Sequence, residues 1–132
     1  MPREKHRGQS ILGVAGFDSK LCEVNLLLDA IRARARRDEQ DRAEVRERLR
    51  SALAELLPGK ICWLYGSVTR PGRFRDWSDV DLALECFPAD GASPFLLASL
   101  LGERVGRHVD LVSLEETRLR EKILREGERW TT

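Results

Sequence analysis

Four residues set the chemistry this chain could perform. Asp79 and Asp81 stand two apart in the alternating run Asp79-Val80-Asp81-Leu82-Ala83-Leu84, and Gly66-Ser67 follows the apolar run Ile61 to Tyr65. On a strand successive side chains alternate faces, so Asp79 and Asp81 share one side while Val80 and Leu82 share the other. Two aligned carboxylates repel each other, and solubility alone gives little reason to align them. They make physical sense around a hard divalent cation, because Mg²⁺ takes oxygen ligands and is typically held by one or two carboxylates plus substrate phosphates. Gly66-Ser67 supplies the complementary half: glycine lets a backbone approach a phosphate closely, and serine adds a hydroxyl and an N–H donor.

The surroundings extend this reading. Arg70, Arg73 and Arg75 lie between Ser67 and Asp79, and arginine offers phosphate a planar fork of donors. Arg70, nearest Gly-Ser, is the best placed for a triphosphate; the others read as solvated loop charges or contacts to Asp76. Trp77 is open between stacking on a base and packing under the loop. Asp110 sits between Val109 and Leu111 on a further short strand. It reads either as a hydrogen-bonded strand-end acid or as a third member of the carboxylate set. His108, beside it, reads as structural.

Gly-Ser after a strand, eleven residues, then Asp-Val-Asp on the next strand resembles the signature of the DNA polymerase β-like nucleotidyltransferases. The wording Ser78-Asp79-Val80-Asp81-Leu82 in a short chain is most similar to the minimal nucleotidyltransferase (MNT) family. The resemblance implies that Val109-Asp110-Leu111-Val112 carries the third acid and that Asp79, Asp81 and Asp110 gather around two Mg²⁺ ions. It implies transfer of AMP from ATP to a hydroxyl, with Gly66, Ser67 and Arg70 on the nucleotide. By the same likeness the chain would be the antitoxin of a HEPN-domain ribonuclease toxin, adenylylating a tyrosine of that toxin. Two other readings stay open. One is an antitoxin that neutralises its toxin by binding alone; the other is a transferase acting on a small, aminoglycoside-like hydroxyl compound. The presence of Ser67, Asp79, Asp81 and Asp110 together favours catalysis.

These residues need a scaffold, and the pattern predicts α-α-β-β-α-β-α: a small mixed sheet flanked by helices, an α+β nucleotidyltransferase fold with an extra N-terminal helix. Residues 1–38 read as an N-terminal arm and that helix, and 39–132 as the minimal domain. Met1 to Phe17 reads as a loosely attached arm. Asp18 or Ser19 would cap a helix whose Leu21, Val24, Leu28 and Ile31 recur at helical spacing, serving the core or a partner. Its basic end, Arg32 to Arg37, reads as a solvated terminus rather than a nucleic-acid contact. A second helix from about Asp41 to Leu57 presents Val45, Leu49, Ala52, Leu53, Leu56 and Leu57, and Pro58-Gly59 stops it. Ser93-Pro94 starts a third, which Gly106 ends. Ser113 and Glu116 suggest a capping box for a last helix with Leu119, Ile123 and Leu124 inward and Gly127 at its end. Glu128 to Thr132 reads as too short for another element.

Composition narrows the class. At 132 residues the chain supports one core. A net charge of +1 argues against an electrostatically driven nucleic-acid or membrane binder. Cys22, Cys62 and Cys86 form no close pair, so neither a zinc site nor a disulfide framework is expected. No apolar run reaches a membrane span, and cytoplasmic localisation is the expectation.

Overall fold

The computed structural model describes residues 3–89 and 91–132, with side chains from residue 20 onward. Helix α1 (Arg3–Leu56) leads to strands β1 (Ile61–Tyr65) and β2 (Val80–Leu84), helix α2 (Pro94–Val105), strand β3 (Val109–Ser113), short helix α3 (Arg120–Glu126) and strand β4 (Glu128–Thr131). The strands form one sheet in the order β3-β2-β1-β4. β1 runs antiparallel to both β2 and β4, while β2 and β3 are parallel. A parallel pair requires a crossover, and α2 supplies it. The result is the expected mixed α+β architecture.

The strand period of two divides the sheet into a buried face and a working face. On one side Cys62, Leu64, Val80, Leu82, Leu84 and Val109 pack in the main core with Val45, Leu49 and Leu53 of α1, Leu57 just after it, and Leu97, Leu101 and Val105 of α2. On the other side Ala83, Leu114 and Ile123 form a smaller cluster, with Trp63, Tyr65 and Val112 against it. Asp81 and Asp110 belong by alternation to this second face. Starts and stops follow local chemistry: the Ser93 hydroxyl accepts from the Phe95 amide beside Pro94, and Gly106 closes α2 at a φ of 78°.

The chain divides into two compact units, Met1–Arg37 and Asp38–Thr132. In the first, Leu21, Val24, Leu26, Leu27, Leu28 and Ile31 are exposed, as are Arg32, Arg34, Arg36 and Arg37. The second contains the sheet and both hydrophobic clusters.

Several boundaries differ from the sequence reading. The two N-terminal helices are one, because residues 32–45 contain neither Gly nor Pro and nothing else ends the first helix. Arg3 to Phe17 is helix rather than an arm, so no cap is needed at Asp18 or Ser19; Met1 and Pro2 lie outside the described residues. Ser113 and Glu116 do not box a helix. The Ser113 carbonyl instead accepts from the amides of Glu116 and Thr117 at 3.2 and 3.0 Å, and α3 begins only at Arg120. Of the three expected inward residues only Ile123 is buried, whereas Leu119 and Leu124 are exposed.

The tail is a strand. Glu128–Thr131 pairs with β1 from Leu64 back to Ile61. Arg46 of α1 grips Glu128 with two hydrogen bonds of 2.9 and 2.7 Å. The guanidinium groups of Arg46 and Arg50 lie 5.3 and 4.3 Å from the Trp130 ring centroid. The Arg46 hydrogen bonds hold the Glu128 carboxyl below its ordinary pKa. These tertiary contacts help to fix β4.

Candidate active site

The sheet register brings the key acids together. Tyr65 at the end of β1 pairs with Asp81 of β2, and Asp81 pairs with Asp110 of β3. Gly66 then turns the chain at a φ of 78° into a 3-10 turn, Gly66–Thr69. That left-handed φ suits glycine, and a second constraint is steric: a methyl at position 66 would run into the Asp81 carboxylate. The turn is anchored from α1, where Arg42 Nε donates to the Val68 carbonyl at 2.8 Å, and internally, where Thr69 Oγ1 donates to the Gly66 carbonyl at 2.7 Å.

A cavity of about 430 Å³ opens here, lined by Gly66, Ser67, Arg70, Arg73, Asp81 and Asp110, with Tyr65 and α3 forming further walls. Burial pushes the Asp81 pKa up to about 6, reinforced by the negative charges of Asp110 and then Asp79. Burial and the same pair, Asp81 and Asp110, push the Tyr65 hydroxyl up to about 12.

Asp79 stands apart from the cavity lining, with its Oδ2 3.6 Å from Nδ1 of His108, both side chains more than half exposed. Among the described residues no three His, Cys, Asp or Glu side chains form a metal-holding group. The donor set nevertheless fits a hard divalent cation in kind: oxygens only, with a repulsion between Asp81 and Asp110 that a cation would relieve.

The loop cations have distinct fates. Arg70 lines the cavity but donates to Glu126 of α3 at 2.9 Å, so an anion must compete for it. Arg73 lines the cavity too. Arg75 bonds the Gly72 carbonyl at 2.7 Å and lies 3.9 Å from the buried Asp38. Trp77 is 73% exposed, and Phe74 is the residue buried beneath the loop.

Three participants escaped the sequence reading. Lys122 and Glu126 enter the cavity from α3. Arg107 stacks 4.5 Å over Phe74, donates to the Arg75 and Ser78 carbonyls at 2.9 Å each, and pairs with Asp41 of α1. It fastens the loop that leads into Asp79. The pairing of Lys122 and Glu126 four apart faintly signalled a common helix face; nothing in the sequence pointed from Arg107 to Phe74.

A glycine-serine turn and neighbouring strand carboxylates at one end of a small mixed sheet define a nucleotidyltransferase core. The chain belongs to the polymerase β nucleotidyltransferase family, whose model matches residues 47–130. No curated protein sequence matches it. Among solved structures it is similar to a chain of a toxin–antitoxin complex crystallised with AMP-PNP, at 25% identity and a TM-score of 0.54, over 65% of this chain and 73% of that one. Weaker likenesses, each at 22% identity, are to a chain of the toxin–antitoxin MntA–HepT and to one of a tri-AMPylated HEPN toxin with MNT antitoxin from Shewanella oneidensis. Their TM-scores are 0.45 and 0.42, covering 71% and 72% of this chain and 73% of each of theirs. Among the described residues no helix is long and apolar enough to cross a membrane.

Proposed function

We propose that this chain transfers AMP from ATP to a hydroxyl, a tyrosine, of a partner protein, and that it is the antitoxin of a HEPN-type toxin. The observation that carries the reading is the cavity in which Asp81 and Asp110 face Arg73 and Lys122 beside the Gly66-Ser67 turn. Support comes from the MNT-like wording around Asp79 and from the similarity to a toxin–antitoxin chain crystallised with AMP-PNP.

In this mechanism Gly66 and Ser67 donate to the β- and γ-phosphates, and Arg70, Arg73 and Lys122 balance their charge. Asp79, Asp81 and Asp110 would hold Mg²⁺, two ions by family likeness. Cations held there would supply Lewis-acid chemistry, offsetting phosphate charge and lowering the pKa of the attacking hydroxyl. Asp110, an exposed acid of the cavity, accepts the hydroxyl proton as the acceptor oxygen bonds to the α-phosphorus. The bond from that phosphorus to the bridging oxygen breaks, and pyrophosphate leaves past Lys122.

The test is intact mass of a candidate toxin after incubation with this chain, ATP and Mg²⁺. The expected result is addition of AMP that disappears when ATP is withheld; an unchanged mass, with no AMP-PNP binding by calorimetry, would overturn the reading. The Arg70–Glu126 pair gives a sharper expectation. Glu126→Gln releases Arg70 without removing side-chain volume, so AMP-PNP should bind roughly three- to tenfold more tightly. Equal or weaker binding would show that Arg70 does not meet the nucleotide.

A further inference from the structure

Beside the catalytic cavity lies a second, larger one of about 850 Å³, and Asp110 lines both. The second runs between α2 and the sheet edge, from Phe95, Ala98, Ser99 and Gly102 to Val109 and Leu111. β3 is an edge strand, with β2 on one side only. The hydrogen-bond phase shows which of its backbone groups face outward. Val80 donates to the His108 carbonyl at 2.9 Å, and Leu114 donates to the Leu84 carbonyl at 3.0 Å. Even-numbered residues of the strand therefore bond to β2, and the N–H and C=O groups of Val109 and Leu111 turn away from it.

Those outward groups take no partner among the described residues. A protein ordinarily covers or charges an open edge. Here Glu103, Arg107 and His108 bring charge to the lining, yet the outward groups of Val109 and Leu111 stay unpaired among the described residues. The positions facing the edge from α2 are small, Ala98, Ser99 and Gly102, and a methyl at Gly102 would stand 3.1 Å from the Arg107 carbonyl and 4.0 Å from the Val109 nitrogen. The large residues that α2 adds to the lining are Phe95, 82% exposed, and Glu103.

The geometry points to this groove as the docking site of the acceptor: an extended polypeptide segment that adds to the edge of β3 and delivers its hydroxyl to Asp110. The inference rests on the nucleotidyl-transfer reading and names where its acceptor docks. Backbone pairing to Val109 and Leu111 supplies affinity, and alternate side chains of the segment fall toward Phe95 and toward the catalytic cavity. β3 is five residues long, about 17 Å, enough for two or three main-chain pairs. A small hydroxyl compound would use neither the edge nor Phe95. The shared residue Asp110 is the reason for choosing the acceptor as occupant, because the groove ends where the hydroxyl has to arrive.

The experiment is amide hydrogen exchange of the full chain with AMP-PNP and Mg²⁺, adding a millimolar pool of tyrosine-centred nonapeptides. The Leu111 amide should exchange at least about tenfold more slowly with the pool. The Asp110 and Val112 amides, already bonded to β2, serve as internal references. Peptides N-methylated on both sides of the tyrosine should not protect it, and neither should kanamycin. Ser99→Trp, which fills the groove from an exposed position, should abolish protection while leaving AMP-PNP affinity unchanged; Phe95→Ser, which cannot block folding by bulk, should weaken it. Unchanged exchange at Leu111, or equal protection by N-methylated peptides, would overturn the proposal. A parallel assay with ATP separates the two readings. Protection without AMP transfer leaves docking standing and sinks the transferase, while transfer with a freely exchanging Leu111 does the reverse.

Discussion

Gly66→Ala should lower the rate of nucleotidyl transfer by at least about a hundredfold while costing the fold only modestly. Two separate effects meet at this position. A φ of 78° is left-handed, and imposing it on alanine costs roughly 1–2 kcal/mol. The added methyl also collides with the Asp81 carboxylate, which lies at the end of a side chain and can swing away. Swinging relieves the clash but moves a reacting-centre acid by about an ångström, a misplacement of the size that costs around a hundredfold in rate. Gly59→Ala separates the two effects. Gly59 has a similar φ of 75° with nothing near its missing methyl, so that variant should lose comparable stability and keep its activity. Thermal unfolding and single-turnover rates of the two variants check this. Equal rates in both would show that Gly66 serves only the backbone turn and that the position of Asp81 does not matter.

How much of this could be read from the sequence depended on whether the cause was local. Strands β1, β2 and β3 and the ends of α2 were legible because Gly66, Ser93-Pro94 and Gly106 punctuate them, and because period-two alternation puts Asp81 on one face. The pairing of Asp81 with Asp110 was not legible from spacing, since a parallel register depends on the α2 crossover; only the family resemblance joined them. β4 was missed because Glu128 to Thr132 reads as too short for an element on its own. It is held by Arg46 and Arg50, some eighty residues away in sequence. The break drawn between two N-terminal helices rested on a change in charge pattern, and charge alone does not end a helix. Lys122 and Glu126 were missed for a third reason. Ile123 revealed that α3 has an inward side, but not that the neighbouring polar side chains would reach the Gly66 turn.

Asp81 also predicts how stability should respond to pH and to metal. Its folded pKa is raised, from 3.8 to about 6, so the folded state holds its proton more tightly than the unfolded chain. The stability that Asp81 contributes is therefore greatest below about pH 4, falls as pH rises toward 6, and is not lost further above that. Asp81→Asn mimics the protonated acid and should be the more stable protein above pH 6, with the gap closing below pH 4. The full shift corresponds to about 3 kcal/mol at 1.36 kcal/mol per unit. Asp81 is only half-buried and partly screened by water, so a gain of roughly 1–2 kcal/mol is expected. Mg²⁺ with AMP-PNP should reverse the order: a ligand that binds the folded wild type through Asp81 raises its melting temperature and leaves the variant where it was. Asp79→Asn combined with Asp81→Asn should abolish metal-dependent transfer, on the order of a thousandfold, the scale of losing an electrostatic stabiliser of the transition state. The same variant discriminates an enzyme from an antitoxin that acts by binding. It should still associate with its toxin partner, because the groove along β3 and the exposed leucines of α1 are untouched, yet fail to add AMP and fail to restore growth. Growth restored by the double variant, with no mass change produced by the wild type, would mean that the carboxylates are a relic and that binding alone neutralises the toxin.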